Sequence, residues 1–489
     1  MNYYLGIDIG TTSSKAVAFS EKGTVLSSVS IGYDMQHPLP NQSEQDPDEI
    51  FDAVVSGITE TLAAMLPHTP VFISFSAAMH SLLAIDKQGN LLTQCIIWAD
   101  NRADVIAENL KHSEEGKYCY HETGVPVHSM SPLSKLLWLK ENDAETFKAA
   151  YKFIGIKEYI FYKLFDEFVI DTSVASATGL LQTKSLHWDK QILNMVGITE
   201  DQLSKIVSTK EVFHYNNKHT SLQFSASIPF IIGASDGASA NLGTAAMGDA
   251  MAITIGTSGA ARLVVNTPVT DSRMRTFCYH LKDDLYIAGG ANNNGAIVLQ
   301  WLKDSILQSN DAYTTLFEQA ASVGAGSNGL ILLPYILGER APLWNANAKG
   351  VYFGLTINHT KAHLIRATIE AVVFSMYSIG KILMSRQPVT AIHASGGFAK
   401  SDVWLQIVAD VFNVKVIVSG AYEAAALGAV MLGTEAMQHK DVFENKLLAS
   451  YIPDANNHAT YQAAFQKFER LYELLQYEML TDAMVQAPN

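Results

Sequence analysis

Ile7-Asp8-Ile9-Gly10-Thr11-Thr12, near the start of the chain, returns about half a chain length later as Ile253-Thr254-Ile255-Gly256-Thr257-Ser258. Each copy is a short apolar run, a Gly-Thr turn and a second strand-like run, Lys15–Phe19 in the first and Ala261–Val265 in the second. Apolar runs joined by tight glycine turns read as β-hairpins. One such unit at the head of each half predicts a duplicated domain. The expected division is 1–245 and 246–489, with no Pro- or Ser-rich linker to mark it.

Outward from the first copy, Ser20-Glu-Lys-Gly23 reads as a turn and Thr24–Ser28 as another strand. Ile50, Val54, Ile58, Leu62 and Met65 then recur at helical spacing behind an Asp46 cap and Pro47. Val71–Phe75 is strand-like again, and strands alternating with helices predict α/β layers. Phe465, Phe468, Leu471, Leu474 and Leu475 predict a closing helix.

Hydrophobic residues make up 48% of the 489 and charged residues 17%, the balance of a well-cored folded protein rather than a disordered one. Acidic residues outnumber basic ones, 48 to 34, and no long basic run exists, so nucleic acid is not expected as a partner. Cys95, Cys119 and Cys278 are odd in number and far apart, which argues against a disulfide framework or a cysteine zinc site and favours a reducing cytoplasm. The start lacks the pattern of a signal peptide, and no uncharged apolar stretch reaches the ~18 residues of a membrane span. The sequons at Asn41 and Asn358 are therefore read as chance matches.

Four glycine-rich stretches carry the chemistry. In Asp8-Ile-Gly-Thr-Thr12, glycine lets the backbone approach a phosphate, amides and hydroxyls can cradle its oxygens, and Asp8 at a strand end can hold Mg²⁺ through water. Gly256-Thr-Ser-Gly259 supplies a second loop of this kind. Ser395-Gly-Gly-Phe-Ala-Lys-Ser-Asp402 is a strand-to-helix turn with room for a flat or anionic group against the backbone. In Gly233-Ala-Ser-Asp236-Gly237 a carboxylate sits among small residues at a strand end, a place for a general base acting on a hydroxyl. Taken singly, each is also an ordinary turn. Gly324-Ala-Gly-Ser-Asn-Gly329 matches G-x-G-x-x-G but follows a helical stretch and precedes a strand, the reverse of a dinucleotide fingerprint, and there is no P-loop or H-E-x-x-H.

Together these residues resemble the FGGY family of carbohydrate kinases from about Leu5 to Gly433. Met130-Ser-Pro-Leu-Ser-Lys135-Leu-Leu-Trp138-Leu-Lys-Glu-Asn142 looks like the family's first signature, and Gly350–Leu355 followed by His363–Glu370 looks like its second. Locally both read as amphipathic helices. The resemblance implies an α/β fold of two actin/hexokinase-like (ribonuclease H-like) domains, with a mixed sheet in each and a cleft between them. It implies sugar binding and the first phosphate loop in 1–245, nucleotide binding in 246–489, and ATP with Mg²⁺ as cofactors. By position, Asp8 resembles the Mg²⁺-linked aspartate and Asp236 the catalytic base. Thr12, Lys15 and Thr257 fall at phosphate-contacting positions beside Gly10, Thr11 and Gly256. Gly396, Gly397 and Ser401 lie where the family holds adenosine, next to Gln300. Met79, His80, Trp98, Asp100 and Arg102 match sugar-contacting segments.

Gly237 and Met79-His80 differ from the glutamine and the Arg-Glu pair that glycerol kinases carry. Ala78–Ser81, Gly155–Ile160, Asn292–Gly295 with Asn293 at its centre, and Gly338–Trp344 look most like the bacterial gluconokinase branch, with xylulokinases as the runner-up. A sugar acid needs its buried carboxylate paired, and Lys157, Arg102 and Arg340 are the candidate cations, with His80 to help. The partner expected is thus a small-molecule sugar or sugar acid, with no nucleic acid and no membrane, and a homodimer is allowed. The rival from another class is a non-kinase ATPase switch on the same actin-like fold, which has no use for a carboxylate at position 236 or for sugar-contacting segments.

Overall fold

The computed structural model describes residues 2–215, 228–420, 423–439, 443 and 447–485. Packing divides the chain into two compact units. The first holds 1–245 together with 265–287 and 421–445, and the second holds 246–264, 288–420 and 446–489. Each unit is α/β with a mixed sheet.

In the first unit the strands run in the order Val212–His214, Pro229–Ser235, Ile73–Ala77, Tyr3–Ile9, Ser13–Ser20, Val25–Gly32. Tyr3–Ile9 forms an antiparallel hairpin with Ser13–Ser20, which puts Asp8 opposite Lys15, and it runs parallel to Ile73–Ala77. Ile73–Ala77 in turn runs parallel to Pro229–Ser235. Both faces are covered, which is why the first strand is apolar at every position but Asp8 rather than alternating. On one face the Pro47–Ala64 and Ile156–Phe165 helices bring Ile50, Val54, Ile58, Ile160 and Phe161 against Leu5, Ile7, Phe75 and Phe230. Asp46 caps the first of these helices, accepting from the Asp48 amide at 2.9 Å, as its sequence predicts. On the other face the Ala424–Ala436 helix sets Ala426 and Val430 against Tyr4, Val17 and Phe72. The contact is close enough that a Cβ on Gly6 would stand 2.4 Å from the Ala426 carbonyl oxygen.

The second unit repeats the scheme. Ala250–Ile255 pairs antiparallel with Gly259–Val265 and parallel with Ala391–Ser395, and Lys415–Ser419 continues the parallel set. The likeness extends to side chains. Asp8 faces Ser76 across its parallel pair and accepts its hydroxyl at 3.1 Å, and Thr254 faces Ser395 across the corresponding pair at 2.8 Å. The echo in the sequence is therefore an echo in backbone register.

The first signature forms the Pro132–Asn142 helix, but the second is a strand, Gly350–Phe353, followed by the long Lys361–Met384 helix. That helix is long and apolar enough to cross a membrane, yet it is mostly buried and pairs Arg366 with Glu370 at 2.8 Å. The Gly324–Gly329 stretch lies between the Tyr313–Ala321 helix and the Ile331–Pro334 strand, the order read from its sequence. There Glu370 accepts from the Gly326 amide and the Ser327 hydroxyl, so the turn is tied to the core. The closing helix begins at Ala455, earlier than its apolar spacing alone indicates.

Candidate active site

Three parallel strands of the first unit end at one edge. Asp8 stands opposite Ser76, Ile9 opposite Ala77, and Ser235 opposite Ala77, so Asp8, Ser76 and Asp236 share the carboxyl ends of neighbouring strands. That edge is where open α/β sheets hold ligands. Two features aim Asp236. The Pro229–Ser235 strand carries a bulge between Ile231 and Ala234, with Gly233 at φ +67° and its Cα against the Phe75 carbonyl. A bulge rotates the residues beyond it. Ser235 then caps the Asp236–Gly243 helix, and the Asp236 Oδ1 accepts its neighbour Gly237's amide at 2.6 Å.

The Asp8 carboxyl is raised to about 7, by burial first and then by the like charges of Asp236 and Glu423, with the Ser76 hydroxyl and Lys15 opposing the rise. Lys15 lies across the hairpin and bonds Glu423 at 2.9 Å. A buried carboxylate raised in this way is one that a divalent cation relieves, so Asp8 fits Mg²⁺. The raised value has a consequence for stability. Between the ordinary aspartate range and about 7 the folded chain keeps a proton that the unfolded chain has released. Stability therefore falls as pH rises through that window. Asp8→Asn is expected to raise the melting temperature of the ligand-free protein at pH 8 and to leave it unchanged at pH 4, as calorimetry at the two values will read.

The segments read as sugar-contacting lie in the same unit. His80 is buried, adopts φ +69°, and its Nδ1 donates to the Ala177 carbonyl at 2.8 Å. Its Nε2 lies 3.5 Å from the Tyr279 hydroxyl. Met79 beside it is half-buried. The Trp98 indole donates to the Thr11 hydroxyl at 3.0 Å, and Gln45 holds the Thr11 carbonyl at 2.7 Å, so the indole and the Gly10–Thr12 turn are joined. Thr12 is exposed.

In the second unit Gly256 and Gly396 follow adjacent parallel strands. Gly396 sits at φ +96° against the Ile255 carbonyl, while a Cβ on Gly256 or Gly397 would meet nothing within 4 Å, so both backbones face open space. Thr257 is exposed, and its carbonyl accepts the Gly295 amide at 3.1 Å, which joins this loop to Asn292–Gly295. Gln300 projects from the Ile297–Trp301 helix and is exposed. Asn293 accepts from Arg340 Nε at 2.8 Å, and the buried Glu339 accepts the Asn293 amide at 2.6 Å.

Residues 3–243 match the N-terminal domain of the FGGY family of carbohydrate kinases, and residues 251–437 match its C-terminal domain. The chain belongs to the FGGY family of carbohydrate kinases. This FGGY kinase is 44% identical to the gluconokinase of Bacillus licheniformis over 97% of its own length and 94% of the relative's. It superposes with a TM-score of 0.94 on the crystal structure of gluconate kinase from Lactobacillus acidophilus, at 37% identity, covering 97% of this chain and 98% of that one. The structure of ligand-bound xylulose kinase from the same organism gives 0.94 at 36% identity, covering 97% and 99%.

Four sequence assignments in this FGGY kinase meet side chains already committed elsewhere. Lys157, 3% exposed, bonds Asp171 at 2.8 Å and the Ala234 carbonyl at 3.1 Å. Arg102, 7% exposed, grips Asp100 through two nitrogens at 2.8 Å and reaches Glu44 at 2.5 Å. Asp100 is fully buried and also accepts the Ser43 amide at 2.7 Å. Ser401 is buried as the cap of the Asp402–Phe412 helix. A charge neutralised inside the fold is not offered to a ligand, and lysine and arginine in a sequence do not show which are paired. Lys157 instead pins the strand two residues ahead of Asp236. Lys157→Met is expected to cost about 3–5 kcal/mol by stranding Asp171, measured by chemical denaturation, with the double variant carrying Asp171→Asn recovering part of the loss. A raised sugar KM with unchanged stability would return Lys157 to the ligand list.

Sequence reading gave no role to Ser76, Glu339, Glu423 or Tyr279, which bind residues it did single out. Only Lys135 left a trace, as a lone cation among the apolar residues Leu133, Leu136 and Leu137.

Proposed function

We propose that this carbohydrate kinase transfers the γ-phosphoryl group of ATP to D-gluconate, giving 6-phosphogluconate and ADP. The observation that carries the substrate is the 44% identity with a gluconokinase along nearly the whole of both chains. Xylulose is the second reading, favoured by the 36% identity with the xylulose kinase structure.

Phosphoryl transfer asks the protein for alignment and charge neutralisation more than for covalent chemistry. Asp236 accepts the proton of the attacking hydroxyl as that oxygen bonds to phosphorus, and ADP departs with the electron pair of the broken P–O bond. The bulge at Gly233 and the cap at Ser235 hold the carboxylate ready for this. Gly10–Thr12 with Lys15, and Gly256 with Thr257, bind the phosphates. Gly396, Gly397 and Gln300 bind the adenosine. Mg²⁺, when bound, neutralises phosphate charge, and Asp8 is the residue that would hold it. Met79, His80 and Trp98 contact the sugar, and Arg340 is the candidate cation for a carboxylate. By this reading residues 1–245 carry the sugar site and the first phosphate loop, residues 246–489 carry the nucleotide, and the enzyme works in the cytoplasm. ADP release with Mg-ATP against D-gluconate, D-xylulose, L-ribulose, glycerol and no sugar tests it. Turnover on gluconate is expected; turnover on xylulose alone would move the assignment to the second reading, and rapid hydrolysis indifferent to any sugar would overturn both.

A further inference from the structure

We propose that Lys135 is the positioning residue of the sugar site, setting His80 through its backbone. It stands in the first turn of the Pro132–Asn142 helix and is fully buried. Its ammonium donates to three carbonyls, those of His80 at 2.5 Å, Met130 at 3.0 Å and Ile96 at 3.3 Å. An ammonium has three protons, and each has its own acceptor here. None of these partners is a carboxylate. Burial drags the lysine down to about 7, with Asp100 pulling the other way. Keeping such a group dry is costly, and a hydrophobic residue would fill the same space at no such cost.

The three carbonyls share a location. His80 lies in one segment read as sugar-contacting, and Ile96 leads directly into another that contains Trp98. The two are already laced together, with the Leu82 amide on the Ile96 carbonyl at 2.9 Å and the Ile96 amide on the Leu82 carbonyl at 2.8 Å. His80 is also a non-glycine residue in the left-handed region, a conformation that persists only where surrounding contacts over-determine it. Lys135 holds its carbonyl, Ala177 holds its ring, and the next residue, Ser81, accepts the Ile156 amide at 3.0 Å. Of these, Lys135 is the contact that also reaches the Trp98 segment. Removing its ammonium releases the peptide that fixes where the imidazole points.

The inference rests on His80 touching the sugar, and a double-mutant cycle separates the two claims. Lys135→Met keeps the aliphatic stem and deletes the ammonium. Alone, it is expected to raise the sugar KM about 10- to 100-fold with the KM for ATP unchanged. In a His80→Ala background the same change is expected to add little, since the group it positions is gone. Equal losses in both backgrounds, or sugar and ATP KM rising together, would overturn the positioning role. A His80→Ala variant whose sugar KM is normal would overturn the sugar-site reading itself. If Lys135→Met does not fold, Lys135→Gln, which can donate to two of the carbonyls, takes its place in the cycle. D-gluconate is the probe, or D-xylulose if the substrate panel selects it.

Discussion

Asp236→Asn is expected to lower kcat by about 10²–10⁴ while leaving nucleotide affinity within a few-fold. Asparagine keeps the shape of the side chain and can still accept the Gly237 amide bond, so the start of the Asp236–Gly243 helix survives. What disappears is a group able to take a proton from the sugar hydroxyl. The change also removes a like charge that raises the Asp8 carboxyl, so Asp8 should ionise at lower pH in the variant. Single-turnover phosphoryl transfer measured beside calorimetric titration with ATP analogues gives both numbers. A variant that keeps its rate would mean that another group takes the proton, and the Asp236 assignment would fall.

Gly233→Ala is expected to cost about 4 kcal/mol or more in stability and to remove activity with it. Two separate demands meet at this residue. Its φ of +67° is costly for any residue with a Cβ, and that Cβ would stand 1.8 Å from the Phe75 carbonyl oxygen, which belongs to the neighbouring parallel strand. The strands must part or the bulge must straighten, and either movement shifts Asp236. Gly256→Ala is the matched control, because nothing lies within 4 Å of the added methyl. It should melt with the wild type yet raise the KM for ATP if, as proposed, this open space holds phosphate. Thermal denaturation and initial rates on the two variants separate a glycine required by the fold from a glycine required by the ligand.

The contrast marks what the sequence could and could not disclose. Backbone-determined features were legible. The repeated Gly-Thr turns foretold two like units, and Asp46-Pro47 foretold a helix start, because each depends on a few adjacent residues. The position of Asp236 at a strand end was legible as well, since the apolar run and the small residues around it mark where the strand stops. The fate of the cations was not. Lys157 and Arg102 look in sequence like charges available to an anionic substrate, but their partners Asp171, Asp100 and Glu44 are identified only by tertiary packing. The glycine at 233 was visible as part of a motif, whereas its reason, a carbonyl on a strand more than 150 residues away, was not. The second signature was mistaken for helix throughout because its Gly350–Phe353 portion is a short strand whose pairing with Ile331–Pro334 leaves no local periodicity.

The Ala424–Ala436 helix bears on how the protein is made. It covers a face of the first sheet, where the Ser74 hydroxyl donates to the Ala429 carbonyl at 2.6 Å and a Cβ on Gly428 would collide with the Ser239 carbonyl. During translation the strands it covers emerge well before this helix does. At ordinary elongation rates the nascent chain therefore waits tens of seconds with Tyr4, Val17 and Phe72 lacking their final cover. A ribosome-bound fragment ending at 245 should thus expose apolar surface to chaperones, and the same fragment expressed alone should aggregate unless a peptide spanning 421–445 is supplied with it.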